Sequence, residues 1–217
     1  MDILLAAVNA KYIHTNLAVY SLRAYCREFS RRISLREYTI NQGKDQILKD
    51  IYHRAPRVLC FSCYIWNISY VKELIRDIHK ILPDTIIWTG GPEVSYDPEN
   101  FLQEMPEVFG VMLGEGEETF RKLVEYYVNS KEEEGLYKIP GICFRGKEGT
   151  VNSGFPDVLD MDRLVFPYED LSSFSHKILY YESSRGCPFS CSYCLSSIDK
   201  KLRFKSLDLV KKELDIF

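Results

Sequence analysis

Through the first 130 residues, short apolar runs alternate with segments whose apolar positions recur every three or four residues. The runs DILLAAV (2–8), RVLCFSCY (57–64), TIIWTGG (85–91) and VFGVMLG (108–114) predict buried strands, and ISLREYTI (33–40) alternates with a period of two. Residues 16–30, 44–54, 68–82, 98–104 and 117–128 carry the helical period, the third closed by Pro83. Strands alternating with helices require right-handed crossovers and a parallel sheet covered on both faces. The fold expected is therefore α/β, a doubly wound five-stranded parallel sheet.

Beyond this region the pattern changes. KEEEG (131–135) reads as a solvated charge run, and GICFRGKEGTVN (141–152) as two short strands around a glycine-containing turn. Residues 153–177, with Pro156 and Pro167, read as a linker. KILYYES (177–183) then predicts a new strand, followed by a cysteine-rich loop and a helix beginning in SLDLVKKELDIF (206–217). The division expected is an α/β domain over 1–135, a hairpin and linker over 136–176, and the first β/α unit of a second, truncated domain over 177–217.

Composition narrows the function classes. Hydrophobic residues make up 46% and charged residues 27%, an ordinary globular balance, and the net charge of −3 argues against a protein held to nucleic acid by bulk electrostatics. No stretch approaches the roughly 18 apolar residues that span a bilayer, and MDILLAAV lacks the basic leader of a signal peptide. A cytoplasmic protein with reduced thiols, and no membrane partner, is the expectation. Lys200, Lys201, Arg203 and Lys205 read as a solvated loop.

Three of the seven cysteines stand in SSRGCPFSCSYC (183–194), at Cys187, Cys191 and Cys194. A structural zinc site is closed by four ligands, so zinc would need a fourth from His176, Cys143 or elsewhere. An iron–sulfur cluster held by three thiolates leaves one iron open to a substrate or cofactor. This C-x3-C-x2-C spacing, with Tyr193 before the last cysteine and Arg185-Gly186 before the first, resembles the signature loop of the radical S-adenosylmethionine (radical SAM) enzymes. The resemblance implies that Cys187, Cys191 and Cys194 bind three irons of a [4Fe–4S] cluster in a partial TIM barrel. S-adenosylmethionine would chelate the fourth iron and be reductively cleaved there, with Tyr193 bordering its adenine. Arg185 reads on its own as a solvated side chain. The family's Gly-Gly-Glu-like stretch for the methionine amine is not in the sequence, so this chain alone is expected not to turn over.

The loops following the predicted strands include SCYIWN (62–67), GGPEVS (90–95) and GEGEETF (114–120). None reads G-x-G-x-x-G, and Glu115 and Glu117 at a helix start would repel a phosphate. Their order resembles the cobalamin-binding domains that precede many radical SAM enzymes, including B12-dependent methyltransferases and the anaerobic magnesium-protoporphyrin monomethyl ester oxidative cyclases. On that resemblance Ser62, Gly90, Gly91, Gly114 and Glu115 line a cobalamin pocket. His14 stands where such domains place a cobalt ligand, in D-x-H-x-x-G. Here Tyr12 replaces the orienting aspartate and Leu17 the glycine, which argues against coordination by His14. Trp66 and Trp88 read as core or rim, and Cys60 and Cys63 as small buried hydrophobes.

The leading reading is thus a cobalamin-dependent radical SAM enzyme, performing methyl transfer or related radical chemistry on an unactivated carbon of a small molecule. Its implied partner is a reductant such as flavodoxin or ferredoxin. The apolar stretches ILYY (178–181) and LDLV (207–210) are expected to be covered by the first domain or by self-association. The alternative is a non-catalytic ligand-binding or interaction domain, with a structural zinc or an electron-transfer cluster in the cysteine loop.

Overall fold

The computed structural model describes residues 2–129, 133–195 and 201–217. Lys200 and the first residues of the 131–135 charge run lie outside them. Five strands run parallel, as the alternation predicts: β1 (Ile3–Asn9), β2 (Ile33–Thr39), β3 (Val58–Ser62), β4 (Ile86–Gly90) and β5 (Gly110–Met112). The helices between them are α1 (Leu17–Tyr25), α2 (Lys44–Arg54), α3 (Ile68–Ile81), the short α4 (Pro92–Ser95), α5 (Pro98–Glu104) and α6 (Glu117–Asn129). The helix expected over 16–30 ends at Cys26, and Arg27–Arg32 continues as a 3-10 turn.

The sheet has seven strands rather than five. Residues 142–152 form an antiparallel hairpin, β6 (Ile142–Gly146) and β7 (Gly149–Asn152), that pairs with β5 and completes the order β2-β1-β3-β4-β5-β6-β7. Three-residue β5 would otherwise leave an open edge of unpaired backbone groups, and the hairpin covers it.

One apolar layer on each face holds the sheet. On one side α3 buries Val71, Leu74, Ile75 and Ile78 against Leu59, Phe61 and Ile87. On the other, α1 and α6 cover Ile3, Leu5, Cys60 and Trp88. The Trp88 indole N–H donates to Tyr127 Oη at 2.8 Å, so the largest core side chain carries no unpaired donor.

The last part of the chain departs from expectation. Residues 177–183 form no strand; Ile178 makes one isolated bridge to His14. Two-residue strands β8 (Ser184–Arg185) and β9 (Arg203–Phe204) pair antiparallel instead, and α7 (Leu207–Ile216) follows. A strand needs a neighbour along its length, and residues 177–183 meet only scattered partners: Ile178 N donates to Ile13 O (2.6 Å), Thr15 N to Ile178 O (3.3 Å) and Lys205 N to Ser183 O (2.9 Å), while Tyr180 N and O bond the Tyr168 hydroxyl. The first domain does not cover the apolar face predicted for this segment, since Ile178, Tyr180 and Leu207 remain exposed. The linker lies against the domain, burying Leu159, Met161 and Leu164 beside Tyr25.

Gly110 of β5 lies under the Trp88 ring, where an added Cβ would stand 2.5 Å from Cζ3. Gly110→Ala should therefore lower the unfolding free energy by about 2 kcal/mol, the cost of overpacking a closed core. Urea denaturation followed by tryptophan fluorescence measures it.

Candidate functional site

In a sheet of this order the crossovers from β1 and β3 leave in opposite directions, which opens a crevice beyond their carboxyl ends. A cavity of about 610 Å3 lies at that edge. Ser62, Gly90, Gly91, Gly114 and Glu115 all line it. So do residues that sequence reasoning did not select, notably Tyr64, Ser95, Met112, Phe155, Glu182 and Arg185.

Buried amides shape the floor. Asn67 is fully buried, and its side-chain N–H donates to Val8 O (2.9 Å) and Ser62 O (3.0 Å), while its oxygen accepts from Tyr64 N (2.8 Å). One amide thus ties β1, β3 and the following loop together across the switch in strand order. Asn16 caps α1 through Val19 N and donates to Ser62 Oγ at 3.1 Å, which leaves the Ser62 hydroxyl proton free to donate. Gly91 has φ of +108°, and a Cβ there would lie 2.5 Å from Cys63 O. Only glycine lets the chain turn so tightly past β3.

Beside this largely apolar space stands a cluster of charge. Arg185 donates to Glu117 through both terminal nitrogens (2.6 and 3.2 Å) and to Glu182 through Nε (2.8 Å), and lies 3.2 Å from Glu115. Arg203 pairs with Glu115 and donates to Leu159 O at 2.7 Å. Both arginines, expected to be solvated, are largely buried, because their partners sit at the start of α6 against the cavity wall. Lys205 is buried as well, paired with Glu213 at 2.6 Å. Burial opposes ionisation of Glu117, but the hydrogen bonds and charge of Arg185 outweigh it and hold the carboxyl below the ordinary glutamate value. Arg185 is moved the other way: desolvation disfavours its charge, yet Glu117, Glu182 and Glu115 together raise its affinity for the proton.

The other sequence candidates lie outside the cavity lining. His14 Nδ1 is 2.5 Å from Tyr180 Oη, with the rings stacked. Tyr193 is 91% exposed. Cys191 is exposed, Cys187 and Cys194 half-buried, and among the described residues no group of three or more His, Cys, Asp or Glu is arranged to hold a metal ion. The donor set of three thiols within eight residues is of the kind an iron–sulfur cluster takes. Trp88 is core and Trp66 half-exposed, stacked on Tyr64 at 4.4 Å. Burial pushes the Cys60 and Cys63 thiols up to about 12, so they stay protonated. No helix among the described residues is long and apolar enough to cross a membrane.

The sheet order and its crevice define a doubly wound, cofactor-binding α/β domain. A model of the B12-binding domain matches residues 3–124, and the chain belongs to that family. It is 30% identical over 152 residues to the cobalamin-dependent radical SAM methyltransferase TokK of Streptomyces tokunonensis, covering 64% of this chain and 22% of that protein. It is 32% identical over 131 residues to the anaerobic magnesium-protoporphyrin IX monomethyl ester cyclase of a Synechocystis species, covering 57% and 26%. The fold is similar to that of the cobalamin-dependent S-adenosylmethionine radical enzyme OxsB, with a TM-score of 0.77 at 22% identity over 98% of this chain and 31% of that one. The chain thus spans under a third of the length of each of these three proteins.

The Glu117–Arg185 pair sets an acid limit. Glu117 stays ionised in the fold at pH values where the unfolded chain has already bound its proton, so the pair stabilises fully above about pH 4.5. That contribution should vanish as the pH falls further, through the lowered folded value. Glu117→Gln should flatten the fall in stability below pH 4.5, measured by denaturant midpoints at a series of pH values.

Proposed function

We propose that this chain is the cobalamin-holding part of a radical SAM enzyme, with the corrinoid's nucleotide tail in the cavity and a [4Fe–4S] cluster on Cys187, Cys191 and Cys194. One observation carries the reading. The wall of a B12-domain cavity includes Glu182 and Arg185, and Cys187 follows two residues later. The chain itself therefore brings a three-cysteine loop to the edge where a corrinoid would sit.

The cavity fits the tail in its chemistry. A benzimidazole ring is flat and apolar, and the walls offer Leu17, Val19, Met112 and Phe155, with Gly90 and Gly91 admitting close approach. Ser62 supplies a hydroxyl donor. Among the described residues the three carboxylates outnumber the two guanidiniums, so the charged cluster suits no phosphate, and the tail's phosphate lies away from it. His14, held by Tyr180 and outside the lining, leaves the cobalt without a protein imidazole.

When bound, the cluster, S-adenosylmethionine and cobalamin together supply a carbon-centred radical and a transferable methyl group, chemistry that belongs to the cofactors. The chain's own residues bind and orient: Cys187, Cys191 and Cys194 hold iron, Tyr193 flanks the adenine, and the sheet edge holds the tail. Methyl transfer to an unactivated carbon of a small molecule, with electrons from a flavodoxin or ferredoxin, is the activity proposed.

Anaerobic reconstitution with iron and sulfide should give about four irons per chain, and Cys191→Ala should abolish their uptake. Hydroxocobalamin should bind with the spectrum of a detached benzimidazole, and His14→Ala should change its affinity less than about twofold. Stoichiometric zinc without iron, or no corrinoid uptake, would overturn the reading.

A further inference from the structure

We infer that Glu115, Glu117, Arg185 and Arg203 form a clasp that fixes the cysteine loop at the mouth of the cavity, with Arg185 a positioning residue for Cys187. The inference rests on the reading above, in which the loop carries a cluster and the cavity a corrinoid.

The ribbon of β8 and β9 bounds the cysteine loop. It consists of two residues in each strand, and so short a pair is not stable by itself in water. Arg185 and Arg203 stand directly opposite each other in its register, an arrangement of like charges that opposes pairing. What reverses the sign is Glu115, which touches both guanidiniums. Glu117 then takes the Arg185 fork from the side, through both carboxylate oxygens.

The carboxylates belong to the domain that forms the cavity, at residues 115 and 117, just before and at the start of α6. The guanidiniums belong to the ribbon that bounds the cysteine loop on both sides, since the loop leaves β8 and returns at β9. The clasp therefore closes the loop's two ends on one wall of the cavity. Arg203 also reaches Leu159 O, and Ser206 N donates to Asp162 Oδ1 at 2.6 Å, so the linker is gathered at the same place.

Two features separate a positioning device from an ordinary surface ion pair. The Arg185 side chain is only 15% exposed and that of Glu117 only 6%, so water screens the pair little. The bidentate contact also fixes direction as well as distance, which a point charge such as lysine would not do. With Arg185 held at three of its nitrogens, the backbone at Gly186 and Cys187 starts from a defined place.

The test uses the double variant Arg185→Met/Glu117→Gln, which removes both charges together and leaves no buried charge without its partner. In protein reconstituted with iron and sulfide, loaded with hydroxocobalamin and reduced, pulsed dipolar EPR reads the distance between cob(II)alamin and the singly reduced cluster. The unaltered protein should give one narrow distribution; the variant should keep its iron and corrinoid but give a distribution at least about twice as broad. An equally narrow distribution in the variant would overturn the clasp. Amide exchange on cofactor-free protein supplies a second measure. Exchange at residues 184–187 and 203–205 should quicken by about tenfold in the variant while β1–β5 keep their protection. Unchanged exchange at the ribbon would overturn the clasp even if the unaltered protein bound no iron or corrinoid, an outcome that by itself would overturn only the functional reading.

Discussion

Parallel pairing is the constraint on which the rest of this structure depends. Five strands can lie parallel only if every connection crosses back over a face, so all five carboxyl ends reach the same edge. That one requirement gathers the loops after β1, β3, β4 and β5 into a single neighbourhood, although they are spread over a hundred residues of sequence. The reversal of strand order between β1 and β3 then keeps two of those loops from closing over each other. The resulting gap is wide enough for a cavity but lined by backbone that no longer has a sheet partner. Asn67 meets that cost, since its side-chain amide bonds the Val8 and Ser62 carbonyls and the Tyr64 amide, while Asn16 caps the first turn of α1.

The same edge collects charge. Glu115 and Glu117 precede and open α6, where the helix dipole favours a carboxylate. The dipole contribution is small beside the cost of removing a carboxylate from water. Burial of Glu117 becomes tolerable because Arg185 arrives from 68 residues downstream with a planar fork that matches both oxygens. The pair is thus a condition for the cavity wall as much as a link to the next segment. Neither half could be placed there alone.

Much of the fold was legible because it depends on local periodicity. The five strands and the helices at 44–54, 68–82, 98–104 and 117–128 all show in the spacing of apolar residues, and the glycines after β4 mark the edge where the cavity lies. The hairpin was legible as two strands but not as part of the sheet, since the sequence of β6 does not say which edge needs covering. The expected strand over 177–183 failed for a related reason. Its apolar run reads as a strand, but among the described residues no neighbouring strand is present to take its hydrogen bonds, and Tyr168 Oη serves Tyr180 N and O instead. Arg185 and Arg203 looked solvated because partners 68 and 88 residues away cannot be read from spacing. The cysteines were legible as a motif, while the convergence of their thiols is a matter of geometry that the spacing alone does not impose.

The ion cluster also bears on where a phosphate-bearing ligand can lie. Two guanidiniums beside a cavity look like an anion site, and counted alone they would suggest one. With Glu115, Glu117 and Glu182 included, the cluster among the described residues carries one net negative charge, and each fork is already engaged by a carboxylate. An incoming phosphate would have to displace a partner that is covalently part of the wall and already desolvated. Exchange of that kind leaves a buried carboxylate unpaired, which costs several kcal/mol. The charged wall at Arg185 is therefore satisfied within itself, and the apolar contacts the cavity offers come from elsewhere in its lining, from Leu17, Val19 and Met112.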